Sequence, residues 1–400
     1  MKRVFEKPLL PVLVVSMLGL ISLALAFYPQ GKERKIVIFK AGTKEEVKEN
    51  LIKKVGGRKI KDLRLINGKV VYLSKKERKL LLSSPKVLRI DDDVAVFALA
   101  KPLRAQKRAI RPQPAEVLPW GIDKIDAEKV WQISTGDPIK VAVIDTGIDL
   151  KHPDLKDNLK GGVSTVSYTS SYNDDNGHGT HVAGIIAAID NEIGVIGVGP
   201  KIDLYAVKVL NRRGSGYLSD VIEGLEWAIA QKKSQGGEWV INMSLGTTSD
   251  VKSFRDAIKK AYETGITIVA AAGNTGSSVV YPAAYEEVIA VSATDQSDQI
   301  ASWSSRGPEI DLAAPGVNIY STYKGSTYKT LSGTSMAAPH VTGVVALVVD
   351  TKKCDLNSDN ACTPKEIQQR LEQTAIDLGN SGKDELYGAG LVNAYNALSF

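Results

Sequence analysis

Chemically distinctive residues are scarce in this chain. Its 400 residues include two cysteines, four histidines and four methionines. Beyond residue 26 there is no apolar run long enough to span a membrane, no internal repeat and no low-complexity tract. A polytopic membrane protein is therefore excluded. Hydrophobic residues at 43% and charged residues at 24% exclude collagen-like and intrinsically disordered classes as well. A large charge excess is also missing. The net +6, from 51 basic and 45 acidic side chains, would hint at an acidic partner such as nucleic acid. Its distribution removes the hint: residues 1–26 carry +2, residues 27–99 carry +10 and residues 100–400 carry −6. No nucleic-acid partner is expected. The length exceeds the roughly 250–300 residues at which one core stops growing, so two or more folding units are expected.

What is present begins with an export signal. Lys2, Arg3 and Lys7 precede the uncharged run Leu9–Ala26, which ends in Ala24-Leu25-Ala26. That is the order of a cleaved signal peptide over 1–26, with an uncleaved anchor as the alternative, since 18 residues just suffice to span. Either way the remainder is exported. No membrane span is expected once the signal is cut.

Residues 27–99 read as a small α+β unit. Strands are expected at Ile36–Phe39, Lys69–Leu73 and Val87–Ile90, with helices at Thr43–Val55 and Lys75–Leu82. Thr43 and Glu46 have the spacing of a capping box. The order is βαββαβ, of ferredoxin-like type. Residues 100–114 hold five Lys or Arg, three Pro and no apolar period, and read as an exposed linker.

From 115 to 400, apolar runs alternate with helical patterns. Strands are expected at Lys140–Ile144, Ile202–Leu210, Trp239–Leu245, Ile266–Ala272 and Val288–Ala293. Helices are expected at His178–Ile189, Leu218–Gln231, Val251–Glu263, Ser335–Val349 and Pro364–Thr374. Continuous apolar strands in alternation with helices predict a doubly wound, mainly parallel sheet with helices on both faces.

Three segments concentrate the chemistry: Val143-Ile144-Asp145-Thr146-Gly147, Asn176-Gly177-His178-Gly179-Thr180-His181 and Gly333-Thr334-Ser335-Met336-Ala337. Asp145 ends a strand at the sheet edge where α/β folds hold ligands. His178 opens a helix between two glycines. Ser335 starts a helix whose amides favour negative charge beside its hydroxyl. Together they offer a nucleophile, a base and a carboxylate that orients the base. Singly, each has another reading. Asp-Thr-Gly also marks aspartic proteases, a serine at a helix start is commonly a cap, and His-x-x-His can bind metal. The zinc form, however, needs His-Glu-x-x-His.

These motifs, in the order Asp, His, Ser, resemble those of the subtilisin-like serine proteases. Val240–Gly246, Ala270–Asn274 and Tyr281-Pro282-Ala283 are similar to further family segments. The resemblance covers about 115–400, and it implies that 27–99 is a propeptide, both folding chaperone and inhibitor. It implies Asp145, His178 and Ser335 as the catalytic residues. Asn274 and the Ser335 N–H would form the oxyanion hole. Gly214, Ser215, Gly216, Ser244, Leu245, Gly246 and Gly273 would line the substrate strand, with Val280 near the S1 floor. It implies protein and peptide substrates read through backbone pairing, hence broad specificity. His181 and His340 are expected to pack and hydrogen-bond only. Autoprocessing is expected after Leu99, with Val94–Leu99 in the cleft.

The resemblance also implies a calcium site at Glu116, Asp154 and Asn191 with the carbonyls of Ile189, Ile193 and Val195. A second candidate comes from spacing. Asp355, Asn357, Asp359, Ala361, Thr363 and Glu366 fall at positions 1, 3, 5, 7, 9 and 12 of an EF-hand-like loop. A polar surface loop is the alternative. Cys354 and Cys362 flank it, as a disulfide worth about 2–3 kcal/mol or as free thiols. The expectation is a secreted serine endopeptidase with an acyl-enzyme intermediate. The rivals are an aspartic protease through Asp145-Thr146-Gly147 and a non-catalytic scaffold on the same fold.

Overall fold

The structure, a computed structural model, describes residues 31–100 and 113–399. The signal at 1–26 and nearly all of the linker lie outside the described residues. Among the described residues no helix is long and apolar enough to cross a membrane.

The N-terminal unit runs β1 (Glu33–Phe39), α1 (Glu45–Lys54), β2 (Arg58–Leu63), β3 (Gly68–Leu73), α2 (Lys75–Leu82) and β4 (Val87–Asp92). Its four strands pair antiparallel in the order β2-β3-β1-β4. This is the ferredoxin-like βαββαβ arrangement. Arg58–Leu63 (RKIKDL) carries no apolar run and sits at the sheet edge, so pairing with β3, not periodicity, makes it a strand.

One local expectation is corrected. Lys44, not Thr43, is the N-cap of α1, and the Thr43 hydroxyl donates back to the Lys40 carbonyl at 2.7 Å. The capping box belongs to α2, where Ser74 and Glu77 satisfy each other's backbone N–H.

Side chains alternate across β1 because successive Cβ atoms point to opposite faces. Val37 and Phe39 pack with Ile52, Leu73 and Leu81 beneath the unit's own helices. Ile36 and Ile38 join Leu63, Ile66 and Val70 in a cluster shared with the larger unit. One face of the small sheet is thus completed only by docking. Each fully buried aliphatic side chain there contributes roughly 1.5–3 kcal/mol.

β5 (Ala95–Ala98) leads into the second unit. That unit opens with the short helix α3 (Trp120–Lys124) and is built on seven strands: β6 (Lys140–Asp145), β7 (Leu159–Ser164), β8 (Asp203–Lys208), β10 (Trp239–Met243), β12 (Thr267–Ala271), β13 (Ile289–Thr294) and β14 (Leu312–Pro315). They pair in parallel in the order β14-β13-β12-β10-β6-β8-β7. The helices are α4 (His178–Ala187), α5 (Leu218–Gln235), α6 (Lys252–Glu263), α7 (Thr334–Asp350), α8 (Pro364–Thr374) and α9 (Ala394–Ser399). Val141 and Val143 of β6 face the core containing α4 and α7, while Ala142 and Ile144 face the core containing α5 and α6. A strand buried on both faces admits few polar residues, hence the mainly apolar runs, with Lys208, Asn242 and Ser292 as buried exceptions.

The chain leaves β6 for β7 and β8 on one side, then crosses to β10 and continues on the other. That reversal creates a crevice at the carboxyl end of β6, where ligands bind in open α/β sheets. Asp145 is the last residue of β6. The run expected to extend to Leu245 breaks at Ser244. β11 (Leu245–Gly246) leaves the parallel sheet and joins a separate one with β5 and β9 (Ser215–Tyr217).

Candidate active site

Asp145, fully buried, accepts the Thr146 N–H at 2.6 Å. His178 is the first residue of α4, behind Gly177 at φ 114°, a left-handed conformation that favours glycine. Its Nδ1 lies 2.8 and 2.9 Å from the two Asp145 oxygens. Burial alone would lower the imidazole pKa, but the charge and hydrogen bond of Asp145 outweigh it and the pKa is raised. Ser335, also fully buried, lies in the first turn of α7. Asp145 and His178 thus meet directly, and Ser335 stands at the start of α7, which packs in the same core as α4.

The hydroxyl of Ser335 donates to the Ser244 carbonyl at 3.0 Å, and His178 Nε2 is buried without a hydrogen-bond partner among the described residues. The side of the imidazole away from Asp145 is free to take a proton. Asp145 faces an imidazole, not a second carboxylate, and the sheet is parallel; both features speak against the aspartic-protease alternative.

The N-terminal unit's tail occupies the crevice. β5 runs antiparallel between β9 and β11, with Phe97 opposite both Ser215 and Gly246. Ala98 N–H donates to Gly214 O at 2.9 Å and Leu99 N–H to Ser244 O at 3.2 Å. Val96 is fully buried, whereas Phe97 on the other side of the strand is exposed. At the end of this strand the Leu99 carbonyl accepts Asn274 Nδ2 at 2.6 Å and the Ser335 N–H at 3.4 Å. Asn274 is held in that orientation because its Oδ1 accepts the N–H and the hydroxyl of Thr334, both at 2.9 Å. A Cβ on Gly246 would lie 2.6 Å from Val280 Cγ2 and 3.3 Å from Leu99 Cδ1, so both side chains lie close over that glycine. Gly273, at φ 116°, leaves room for Val280 and Ser305.

Several contributors carry no sequence signal of their own. Asp174 is buried and accepts the N–H groups of Asn176, Gly177 and Thr180 and the Thr180 hydroxyl, which fixes the approach to His178. Burial pushes its carboxyl pKa up. Thr334, which aligns Asn274, and Lys208, at the end of β8, were likewise not singled out. Only tertiary contacts reveal them. His181 bonds the Ile319 and Lys329 carbonyls and His340 the Met336 carbonyl. Burial lowers their pKa values to about 3 and about 4, so both are neutral packing groups.

The first candidate calcium residues come together. Buried Asp154 accepts Val195 N–H at 3.1 Å and Asn191 Nδ2 at 3.0 Å, and Glu116 accepts Asn191 N–H at 2.7 Å. Burial, with the charges of Asp190 and Asp154, raises the Glu116 carboxyl pKa despite that N–H. Like charges held in a loop rich in carbonyls fit a hard cation. Asn191 Oδ1 instead accepts Ile193 N–H at 2.9 Å, so its amide would have to turn to act as a ligand.

The second candidate loop is closed by the Cys354–Cys362 disulfide, with Cα atoms 5.3 Å apart. Asn360 adopts the left-handed conformation at φ 68°. Asp355, Asn357 and Asp359 accept backbone N–H groups of their own loop. Glu366 does not swing in: its carboxylate accepts the Thr363 N–H and hydroxyl at 3.0 and 2.7 Å, in a capping box for α8. Elsewhere, the one carboxylate group with metal-ligand spacing among the described residues, Glu45, Glu49 and Asp62, already surrounds the Lys69 ammonium.

A buried Asp–His pair, and a serine at a helix start with the end of an extended strand against it, define the class: a serine endopeptidase on a parallel α/β sheet. Comparison with known proteins agrees. Residues 136–390 match the model of the subtilase family. The chain is 46% identical over 327 residues to a thermostable alkaline protease of Halalkalibacterium halodurans, covering 81% of each. It is 43% identical over 357 residues to subtilisin amylosacchariticus of Bacillus subtilis subsp. amylosacchariticus, covering 88% of this chain and 85% of that one. With subtilisin DY of Bacillus licheniformis it shares 48% identity over 285 residues, 70% of this chain and 98% of the relative. The chain belongs to the subtilase family and is a subtilisin-like serine endopeptidase.

Proposed function

We propose that the chain is a secreted pre-pro-enzyme that cuts itself after Leu99 and then hydrolyses extended polypeptides of broad sequence. The observation that carries this reading is the Leu99 carbonyl, 2.6 Å from Asn274 Nδ2 at the end of a strand paired on both edges. Backbone pairing of this kind selects extended chains more than particular side chains.

Ser335 Oγ turns from Ser244 toward His178, gives its proton to Nε2 and attacks the carbonyl carbon of Leu99 or of a substrate. The carbonyl oxygen becomes an oxyanion held by Asn274 Nδ2 and the Ser335 N–H. Asp145 fixes the tautomer with the proton on Nδ1 and stabilises the imidazolium. His178 then protonates the leaving amine, the C–N bond breaks and an acyl-enzyme remains. Water, deprotonated by the same imidazole, attacks the ester, and Ser335 leaves with the returned proton.

Residues 27–99 act first as substrate and then as a product-like inhibitor, cleavage after Leu99 being followed by trimming within 100–114. Glu116, Asp154 and Asn191 with the carbonyls of Ile189, Ile193 and Val195 would hold Ca²⁺, which would neutralise the paired carboxylates and pin the loop. Opposite net charge of the two units speeds their association.

A fluorophosphonate label followed by peptide mass spectrometry should mark Ser335, and Ser335→Ala should leave the precursor uncut. Labelling elsewhere, or an intact Leu99–Ala100 bond in active enzyme, would overturn the reading. No label at all would favour the scaffold alternative.

A further inference from the structure

Lys208 ends β8 and is wholly shielded from solvent. A buried ammonium is tolerated only when its charge is paired and its donors are met. Nζ of Lys208 donates to the Thr146 carbonyl at 2.7 Å, the Asp175 carboxylate at 2.7 Å and the Leu210 carbonyl at 3.1 Å. All three of its donors are therefore used.

The three acceptors belong to three separate parts of the site. Thr146 follows Asp145, and its hydroxyl accepts the Gly179 N–H at 2.9 Å in the first turn behind His178. Asp175 lies in the loop that delivers His178, where its other oxygen accepts the Tyr168 hydroxyl at 2.8 Å and its carbonyl accepts Lys324 Nζ at 2.6 Å. Leu210 leads into Asn211, whose neighbours Gly214 and Ser215 pair with the tail strand. Lys208 itself stands opposite Asp145 in the β6–β8 register.

We propose that Lys208 is a positioning residue for proton transfer. One buried ammonium, with Asp175 as counter-charge, holds the Asp145 turn and the His178 loop at hydrogen-bonding distance. Asp145 and His178 reach the pair from different elements. The Thr146 hydroxyl and the Thr180 hydroxyl, which accepts Asp149 N–H and donates to Asp174, also tie the turn to the loop. Among the described residues this ammonium is the charged group that bonds both. The proposal rests on the reading of Asp145, His178 and Ser335 as the catalytic residues.

Methionine at 208 fills similar volume and makes none of the three bonds. The Asp145–His178 contact should then loosen, and misplacement on that scale costs about 10–100-fold in rate. The loss should fall mainly on kcat. The bond to the Leu210 carbonyl goes, but Leu210 N–H still donates to the Asp145 carbonyl at 3.1 Å and Asn211 N–H to the Ser215 carbonyl at 2.8 Å, which keep the substrate strand in place. The charged and titratable groups around His178 are Asp145 from β6, Asp174 and Asp175 from the preceding loop, His181 from its own helix, Lys208 from β8, Tyr323, whose hydroxyl donates to the Asn176 carbonyl, and, beside His181, Lys329 from the strand Thr327–Leu331. Asp145 is the main source of the raised His178 pKa, so a loosened pair should move the acid limb of kcat/KM to lower pH.

The test uses Lys208→Met and Asp175→Ala made in the full chain. Three readouts apply: the single-turnover rate of self-cleavage, kcat and KM on a peptide substrate after processing, and the low-field proton resonance of His178 Nδ1–H. Expected is a kcat loss of about 10–100-fold for Lys208→Met and a smaller loss for Asp175→Ala. KM should hold, the acid limb should shift downward and the proton resonance should move or broaden. If Lys208→Met does not fold, Asp175→Ala decides alone, because Asp175 is partly exposed. A lowered melting temperature with unchanged kcat, acid limb and resonance would overturn the proposal. Residual processing in Ser335→Ala would instead overturn the catalytic reading on which it rests.

Discussion

The side-chain amide of Asn274 donates to the carbonyl oxygen of Leu99 at 2.6 Å, while the Ser335 N–H approaches the same oxygen at 3.4 Å. One residue belongs to the loop after β12 and the other to the end of the N-terminal unit's tail. Their contact seats the end of the N-terminal unit against the start of α7, the place where self-cleavage is proposed.

Replacing Asn274 by Ala removes the shorter of the two bonds to the Leu99 oxygen, the proposed oxyanion contacts. Self-cleavage and peptide hydrolysis should both slow, with KM nearly constant, because the bond strengthens as the oxygen gains charge. The cost known for the equivalent donor in subtilisin is about 10²–10³ in kcat. Steady-state kinetics would check it; a loss confined to KM would contradict the assignment.

With His178 as the proposed general base, its raised pKa should set the acid limit of activity. The base must be neutral, so kcat/KM should fall as pH drops through a value above the ordinary 6.5. The sign for stability is opposite. The pair's contribution is complete below the unfolded pKa and lost as pH rises through the folded one. Asp145→Asn should lower kcat by about 10⁴ and move the limb downward. A pH–rate profile with an unmoved limb would separate His178 from the proton transfer.

Calcium removal should destabilise the fold through the loop of Asp154 and Asn191. Saturation at 100 times Kd is worth about 2.7 kcal/mol, or several degrees in melting temperature for a domain of this size. Calorimetry with chelator and with calcium should show that difference in the parent chain and none in Asp154→Ala. At acidic pH the raised Glu116 carboxyl gains a proton, and affinity should fall with it.

Docking of the N-terminal unit rests partly on charge. Lys61 Nζ lies 2.5 Å from Asp220 and 2.6 Å from Glu223, and Arg89 lies 2.6 Å from Asp256. Lys61→Glu should set like charges against each other and shorten the life of the cleaved complex. Gel filtration at low and high salt would show it. A complex equally stable in the variant would mean that apolar burial alone holds the units together.

Asp145, His178 and Ser335 were legible because each stands in a short segment whose glycines and flanking apolar run announce a strand end or helix start. The five parallel strands that were read were legible because burial on both faces keeps polar residues few, so single ones such as Lys208, Asn242 and Ser292 do not hide the apolar run. Edge strands escaped for the opposite reason: Arg58–Leu63 and Leu159–Ser164 keep charged or glycine positions where one side is open. Glu366 shows the limit of spacing as evidence. Its place twelve residues into the loop is right for a ligand, yet the Thr363 N–H and hydroxyl are nearer and take its carboxylate.

The sequence by itself determined the kinds of group the site contains and the order in which the chain presents them, because those depend on local pattern. Only the tertiary structure decided which groups meet. His178 and Asp145 stand 33 residues apart and touch because the sheet order sets the end of β6 beside the start of α4. Lys208 carries no local sign of its role. Its meaning comes from three acceptors brought from three segments around one buried charge, and such an arrangement exists only once the fold excludes water.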